Sequence, residues 1–211
     1  MTKQSITEFV FMPATKKSLG HRKSVHGVGI NDADYIVSIL VNGSYQQSPV
    51  YTKWASMLAR CYSKGLQKKR PTYIGCSVCK EWLTFSNFRR WMEEQDWEGK
   101  DLDKDILAKG NRIYSPGTCI FVNPEINAIF KSPVAKEHSL PLGVAWHKRN
   151  LTYTAQYGTG GKLVHLGSFD TPDKAESAYK KFKSRHVIGI ALQQEGRLRT
   201  ALIGRAQEIA A

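Results

Sequence analysis

The feature that most constrains the fold of this chain lies in its last third, where three short runs, GVAWHKR, LTYTAQYGT and KLVHLGSF, are separated only by Arg149-Asn150 and by Gly160-Gly161. A parallel pairing needs a crossover of a dozen or more residues, so strands this close in sequence pair as an antiparallel meander. Thr171-Pro172-Asp173 follows, supplying an N-cap, a first-turn proline and an acid at the positive end of a helix dipole. Ala175, Ala178, Tyr179 and Phe182 then recur at helical spacing, which predicts a helix covering one face of the meander and leaving the other free. With Val144, Trp146, Leu166 and Phe169 as the core side, His147, Lys148, Arg149, Gln156, Lys162 and His165 fall on the free face or its edges. Such donors suit phosphate oxygens and base edges, and a sheet of this width suits a DNA groove.

The charge distribution agrees with an anionic partner. Lys and Arg total 31 against 18 acids, a net charge of +13, and an excess of that size most simply serves nucleic acid. The surplus is +5 over residues 51–100 and +5 over 141–186, with none over 101–140, so two basic zones flank a neutral one. No apolar run approaches the ~20 residues that span a bilayer, and no signal pattern opens the chain. No membrane association and a cytoplasmic location are therefore expected.

Upstream, residues 1–26 mix Lys, Ser and His with few apolar positions and read as a loosely held arm. YIVSILV at 35–41 before Asn42-Gly43 reads as a strand and turn. Trp54, Met57, Leu58 and Cys61 mark one helical face, and Phe85, Phe88, Trp91 and Met92 mark another, with Thr84 or Ser86 as N-cap. That spacing makes core packing a better reading of NFRRW at 87–91 than base stacking. KGLQKKRP at 64–71 is a basic loop. Residues 102–130 read as strand, Gly-Asn turn, strand, then a helix opening at Asn123-Pro124. The Ser132-Pro133 and Leu140-Pro141 pairs mark a linker, and 187–211 reads as one or two short helices.

Two resemblances rest on these segments. GVAWHKRNLTYTAQYGTGGKLVHLGSFDTPDKAESAY resembles the DNA-binding domain of plant ethylene-response factors (the AP-two type), in the form carried by phage and bacterial nucleases. Its most specific parts are Gly143-Val144, Tyr153-Thr154-Ala155, Leu166-Gly167-x-Phe169, Thr171 and the Ala175–Tyr179 segment. Ala145 and Gly158 stand where that family has arginines and His165 where a tryptophan is usual, so the fold carries over and the plant site preference does not. YTKWASMLARCYS, PTYIGCSVCKEWLTFSNFRRW and LDKDILAKGNRIYSPGTCIFVNPEIN resemble phage HNH-type homing endonucleases, whose ββα site clasps one divalent cation.

What the second resemblance implies is metal-assisted hydrolysis of a phosphodiester. By motif position Asp103 is the first metal ligand, Asn127 on the following helix the other, and Thr118 stands for the loop-fixing Asn. Asp105 and Asn111 complete the candidate catalytic set, and Lys104 occupies the place of the general-base His. A lysine amine, with an ordinary pKa of about 10.4, is protonated at neutral pH and accepts no proton, so Lys104 is read as a phosphate holder instead. Carboxylate and amide oxygens suit magnesium or manganese. Cys76-x-x-Cys79 has zinc-knuckle spacing, and Cys61 and Cys119 would complete a four-thiolate structural zinc site; reduced, partly buried thiols are the alternative.

The expected architecture is α+β. It comprises an N-terminal arm and strand (1–48), a central ββα-metal, HNH-like domain with flanking helices (49–132) and a linker (133–140). A three-stranded antiparallel sheet packed on one helix (141–186) and a helical tail (187–211) complete it. The expected function is a sequence-directed DNA endonuclease acting as a monomer on double-stranded DNA, in an infected bacterial cell if the phage resemblance holds. The alternative is a non-cleaving DNA-binding regulator on the same scaffold.

Overall fold

The computed structural model describes residues 9–130 and 140–211. The expected linker therefore lies outside the described residues except for Leu140, as do the first eight residues of the expected arm. The chain is mixed α+β and divides into two compact units. The first comprises residues up to 104 together with 110–121, and the second residues 105–109 together with 122–211.

In the first unit, Asn42 and Gly43 both take positive φ and turn β1 (Ser38–Val41) into β2 (Ser44–Gln47). This is the hairpin geometry for which Asn-Gly is the preferred pair. Ser48 then caps α2 (Pro49–Tyr62), its hydroxyl accepting from the Tyr51 amide at 3.5 Å and meeting the Tyr35 phenol at 2.8 Å. The apolar face of α2 packs against that of α4 (Phe85–Glu93), burying Trp54, Met57, Leu58, Phe85, Phe88 and Met92 completely. Each such side chain contributes roughly 1.5–3 kcal/mol by leaving water. The Trp54 indole N–H is not left unsatisfied in this core, because it donates to the Trp82 carbonyl at 2.7 Å.

Neither Thr84 nor Ser86 caps α4 with its own side chain. Asp32 does so from 54 residues away, accepting from the Ser86 amide at 2.8 Å and from its hydroxyl at 2.5 Å. Residues 9–26, the described part of the expected arm, are likewise not loosely held. Phe9 joins the core, a short helix α1 (Lys16–Gly20) is closed by a Thr15–Ser18 capping box, and Arg22 donates to the carbonyls of Asn31, Ala33 and Tyr35 at 2.7–3.0 Å. One guanidinium fork spanning three carbonyls is what a composition-based reading of this segment could not show.

The basic segment 64–69 forms a helix, α3 (Lys64–Lys69). Beyond it, β3 (Ser77–Val78) pairs in parallel with β5 (Ile113–Tyr114), while β4 (Asp101–Asp103) pairs with β6 (Ile120–Val122). The expected strand, turn and strand thus contain an additional strand, β5, that pairs away from β4. The helix α5 (Pro124–Phe130) follows β6 with proline in its first turn.

In the second unit β7 (Val144–His147), β8 (Thr152–Thr159) and β9 (Lys162–Phe169) form the antiparallel meander in the order β7-β8-β9. Helix α6 (Pro172–Ala191) crosses it, capped by Thr171, whose hydroxyl accepts from the Lys174 amide at 3.3 Å. The C-terminal tail is one 15-residue helix, α7 (Gly196–Ala210), packed along α6 through Val187, Ala191, Leu202 and Ala206, with Ser184 donating to the Ala206 carbonyl at 2.8 Å. Arg205 of α7 lies over the Phe130 ring of α5 at 5.3 Å, and Glu208 pairs with Arg205 and with Lys109, each at 3.2 Å.

Candidate nucleic-acid interface

The meander has one covered and one free face, and register assigns residues to each. Tyr157 points at α6, its ring 5.3–5.7 Å from Tyr179, Phe182 and His186. Burial pushes its phenol up to about 12, so it stays protonated against the His186 ring nitrogen at 3.0 Å. Side chains alternate along a strand and direct cross-strand partners share a face. Tyr153 and Ala155, with their partners Val144, Trp146, Gly167 and Phe169, therefore also lie on the α6 side. The opposite face carries Ala145 and His147 from β7, Thr152, Thr154, Gln156 and Gly158 from β8, and Leu163, His165 and Ser168 from β9.

Three of the six expected contact residues, His147, Gln156 and His165, are on this helix-free face, and Gln156 and His165 are direct register partners. Lys148 and Arg149 are exposed in the β7–β8 turn. Lys162 pairs with Thr159 on the α6 side, at the β8–β9 hairpin end rather than on the free face. A register shift between Ala155 and Gln156 leaves Leu166 without a cross-strand partner, and Gly167 there takes φ 136°. That shift reverses the parity of β9 and brings Ser168 onto the free face, a residue not singled out from sequence. The signal for it was the glycine inside a strand, which marks bulges.

Three strands at about 4.8 Å spacing make a backbone ribbon about 10 Å wide, comparable with a major groove of about 12 Å. Ala145, Thr154, Gly158 and Ser168 keep most of the face low, so that His147, Gln156 and His165 stand out from it as ring and amide hydrogen-bonding groups, with Leu163 an exposed apolar side chain near the hairpin end. No acid lies on this face.

The second set of expected residues surrounds the loop between β4 and β6. Lys104 is buried, 6% exposed, with its ammonium donating to the Asn111 carbonyl at 2.6 Å and lying 6.0 Å from the Tyr114 ring centre. Asn111 reciprocates, its amide donating to the Lys104 carbonyl at 3.0 Å and to the Ile113 carbonyl at 2.7 Å. Thr118 donates to the Ile113 carbonyl at 2.7 Å and meets the Ser115 hydroxyl at 2.8 Å. Lys104, Asn111 and Thr118 are thus brought together, as ties that close a loop. Asp103 ends β4 in the first unit; Asp105, and Asn127 on α5, belong to the second.

The four cysteines are free thiols of the first unit, with Cys61, Cys76 and Cys119 buried in its core and Cys79 packed against it. Burial pushes the Cys61 and Cys119 thiols up to about 12. Among the described residues no group of three or more His, Cys, Asp or Glu side chains is placed to hold a metal ion. The four cysteines thus form no such group, and no chemical step is derived through a metal. No helix among the described residues is long and apolar enough to cross a membrane. Comparison with family models, with curated proteins and with solved structures found no match in any of the three.

Proposed function

We propose that this chain binds duplex DNA through the helix-free face of β7, β8 and β9. The observation that carries the reading is the composition of that face: His147, Gln156 and His165 project from a ribbon that, apart from Leu163 near its hairpin end, carries small side chains and no carboxylate. Base edges in the major groove offer matching acceptors and donors, with a side-chain amide suited to adenine and a ring N–H to guanine. Lys148 and Arg149 at the rim add the phosphate contacts that hold such a ribbon in register. Fluorescence anisotropy with a labelled duplex, its component single strands and a structured RNA tests this. Preference for the duplex, weakened by Gln156→Ala with His165→Ala, is expected; equal or stronger binding of single strands or RNA would overturn it.

The resemblance of the central segment extends the reading to sequence-directed cleavage, with β4, β6 and α5 supplying the strand, strand and helix order. A non-cleaving regulator is the second reading, favoured by Lys104, whose ammonium is committed to the Asn111 carbonyl in the protein interior. Lys104 on this account ties the loop and is not the base. If the chain cuts, the resemblance implies magnesium or manganese, with the Asp103 carboxylate among the hard oxygen donors that such an ion takes. Supercoiled plasmid incubated with either ion separates the readings. Nicks or breaks made by the native chain and lost in Asp103→Ala, with duplex binding retained, support the endonuclease; binding without breakage on DNA containing its site supports the regulator.

A further inference from the structure

The first unit carries a second cationic surface. Residues 35–80 contain seven Lys and Arg side chains and no Asp or Glu. Two of the seven turn inward: Lys53 donates to the Lys100 carbonyl, and Arg60 to the Leu102 carbonyl at 3.3 Å and the Tyr114 phenol at 3.5 Å. The other five, Lys64, Lys68, Lys69, Arg70 and Lys80, are all exposed. None of the five forms an ion pair with any described residue. Four of them sit on α3 and its C-cap.

This helix is built onto the core rather than trailing from it. The Ser63 hydroxyl caps it by accepting from the Leu66 amide at 3.3 Å. The Gln67 amide reaches inward to the Cys61 carbonyl at 2.7 Å and the Tyr73 carbonyl at 3.4 Å, and the Arg70 amide closes the end on the Leu66 carbonyl at 2.8 Å. With Gln67 directed inward, the cations on either side of it are held outward as a fixed ridge. Lys64 and Lys68, four residues apart on one turn, repel each other by about 0.2–0.5 kcal/mol with no acid to offset it. A polyanion removes that repulsion.

We propose that this ridge is a second DNA-contacting surface, gripping the phosphate backbone without reading sequence. The proposal rests on the duplex-DNA reading above for the choice of polyanion. Its reach follows from helix geometry: Lys64 to Arg70 spans about 9 Å. Duplex phosphates on one strand advance about 3.4 Å along the axis per nucleotide, so the ridge engages two or three of them. Each engaged phosphate contributes about 0.9 to the slope of log K against log salt. The full grip is therefore a slope of about 2–3, equivalent to roughly 30- to 200-fold in affinity between 1 M and 0.15 M salt.

The test uses the full chain and a mixed-sequence duplex of about 30 base pairs, with binding titrated over a range of salt concentrations. The quadruple replacement Lys64→Gln, Lys68→Gln, Lys69→Gln, Arg70→Gln is expected to flatten the slope by about 2–3, with Lys64→Arg, Lys68→Arg, Lys69→Arg restoring it when Arg70 is kept. Gln156→Ala with His165→Ala serves as the other arm and is expected to leave the slope nearly unchanged. Native protein that binds the duplex with a slope the quadruple replacement does not alter would overturn the ridge and leave the sheet reading standing. Native protein that fails to bind the duplex at all would overturn both. A loss seen only on vesicles of anionic lipid, with the duplex slope unaltered, would overturn the ridge as a DNA surface and assign it to a membrane.

Discussion

Replacing Asn111 with Ala perturbs the loop between β4 and β6 at the residue that ties it most heavily. The side chain makes three bonds: its amide donates to the carbonyls of Lys104 at 3.0 Å and Ile113 at 2.7 Å, and its oxygen accepts from the Ile113 amide at 3.2 Å. At about 0.5–1.5 kcal/mol each, and with water able to reach part of this half-buried residue, the loss is expected to be about 2–3 kcal/mol. Lys104→Met should cost about 1–3 kcal/mol, because the Asn111 carbonyl loses a charged donor inside the protein while the apolar stem is retained. The two residues hold each other's backbone, so breaking one tie loosens the other. The double replacement is thus expected to cost less than the sum by about 0.5 kcal/mol or more. Urea denaturation followed by tryptophan fluorescence suits this, since Trp54, Trp82, Trp91 and Trp97 belong to the first unit. An Asn111→Ala cost below about 0.5 kcal/mol, or strict additivity with Lys104→Met, would refute the mutual clamp.

Two further outcomes follow from packing and from titration. Gly143→Ala should destabilise the second unit by about 2–4 kcal/mol, because Gly143 has φ 79° and a Cβ there would lie 2.1 Å from the Tyr179 ring. Unchanged thermal unfolding of the variant would contradict that contact. The Cys61 and Cys119 thiols stay protonated in the folded chain up to about 12 but ionise near 9 once exposed. Their contribution is complete below about pH 9, and each loses about 1.4 kcal/mol per pH unit as pH rises towards 12. Denaturation of native and Cys61→Ala, Cys119→Ala protein between pH 8.5 and 10.5 checks the sign; a stability difference independent of pH would contradict it.

Local chemistry made much of the fold legible. Asn42-Gly43 marked the β1–β2 turn, Pro49 and Thr171-Pro172 marked the starts of α2 and α6, and the spacing of Trp54, Met57 and Leu58 identified the buried face of α2. What stayed hidden depended on partners distant in sequence. The Asp32 cap on α4, the Arg22 fork and the pairing of β5 with β3 rather than β4 are set by tertiary contacts that no window of sequence contains. The free face was half legible. His147, Gln156 and His165 follow from alternation; Lys162, an odd number of residues from His165, falls on the other face, and Ser168 was passed over because the register shift at Gly167 inverts the parity along β9. The burial of Lys104 against Asn111 was not apparent from its neighbours Asp103 and Asp105.

The central claim is that the helix-free sheet face reads DNA sequence, and selection from a randomised duplex library by the full chain tests it most directly. The native protein is expected to enrich a defined motif, and Gln156→Ala with His165→Ala to lose preference at one or more of its positions, each worth about 1–3 kcal/mol of discrimination. Recovery of the same motif with the same strength by the variant would contradict the assignment of this face as the reading surface.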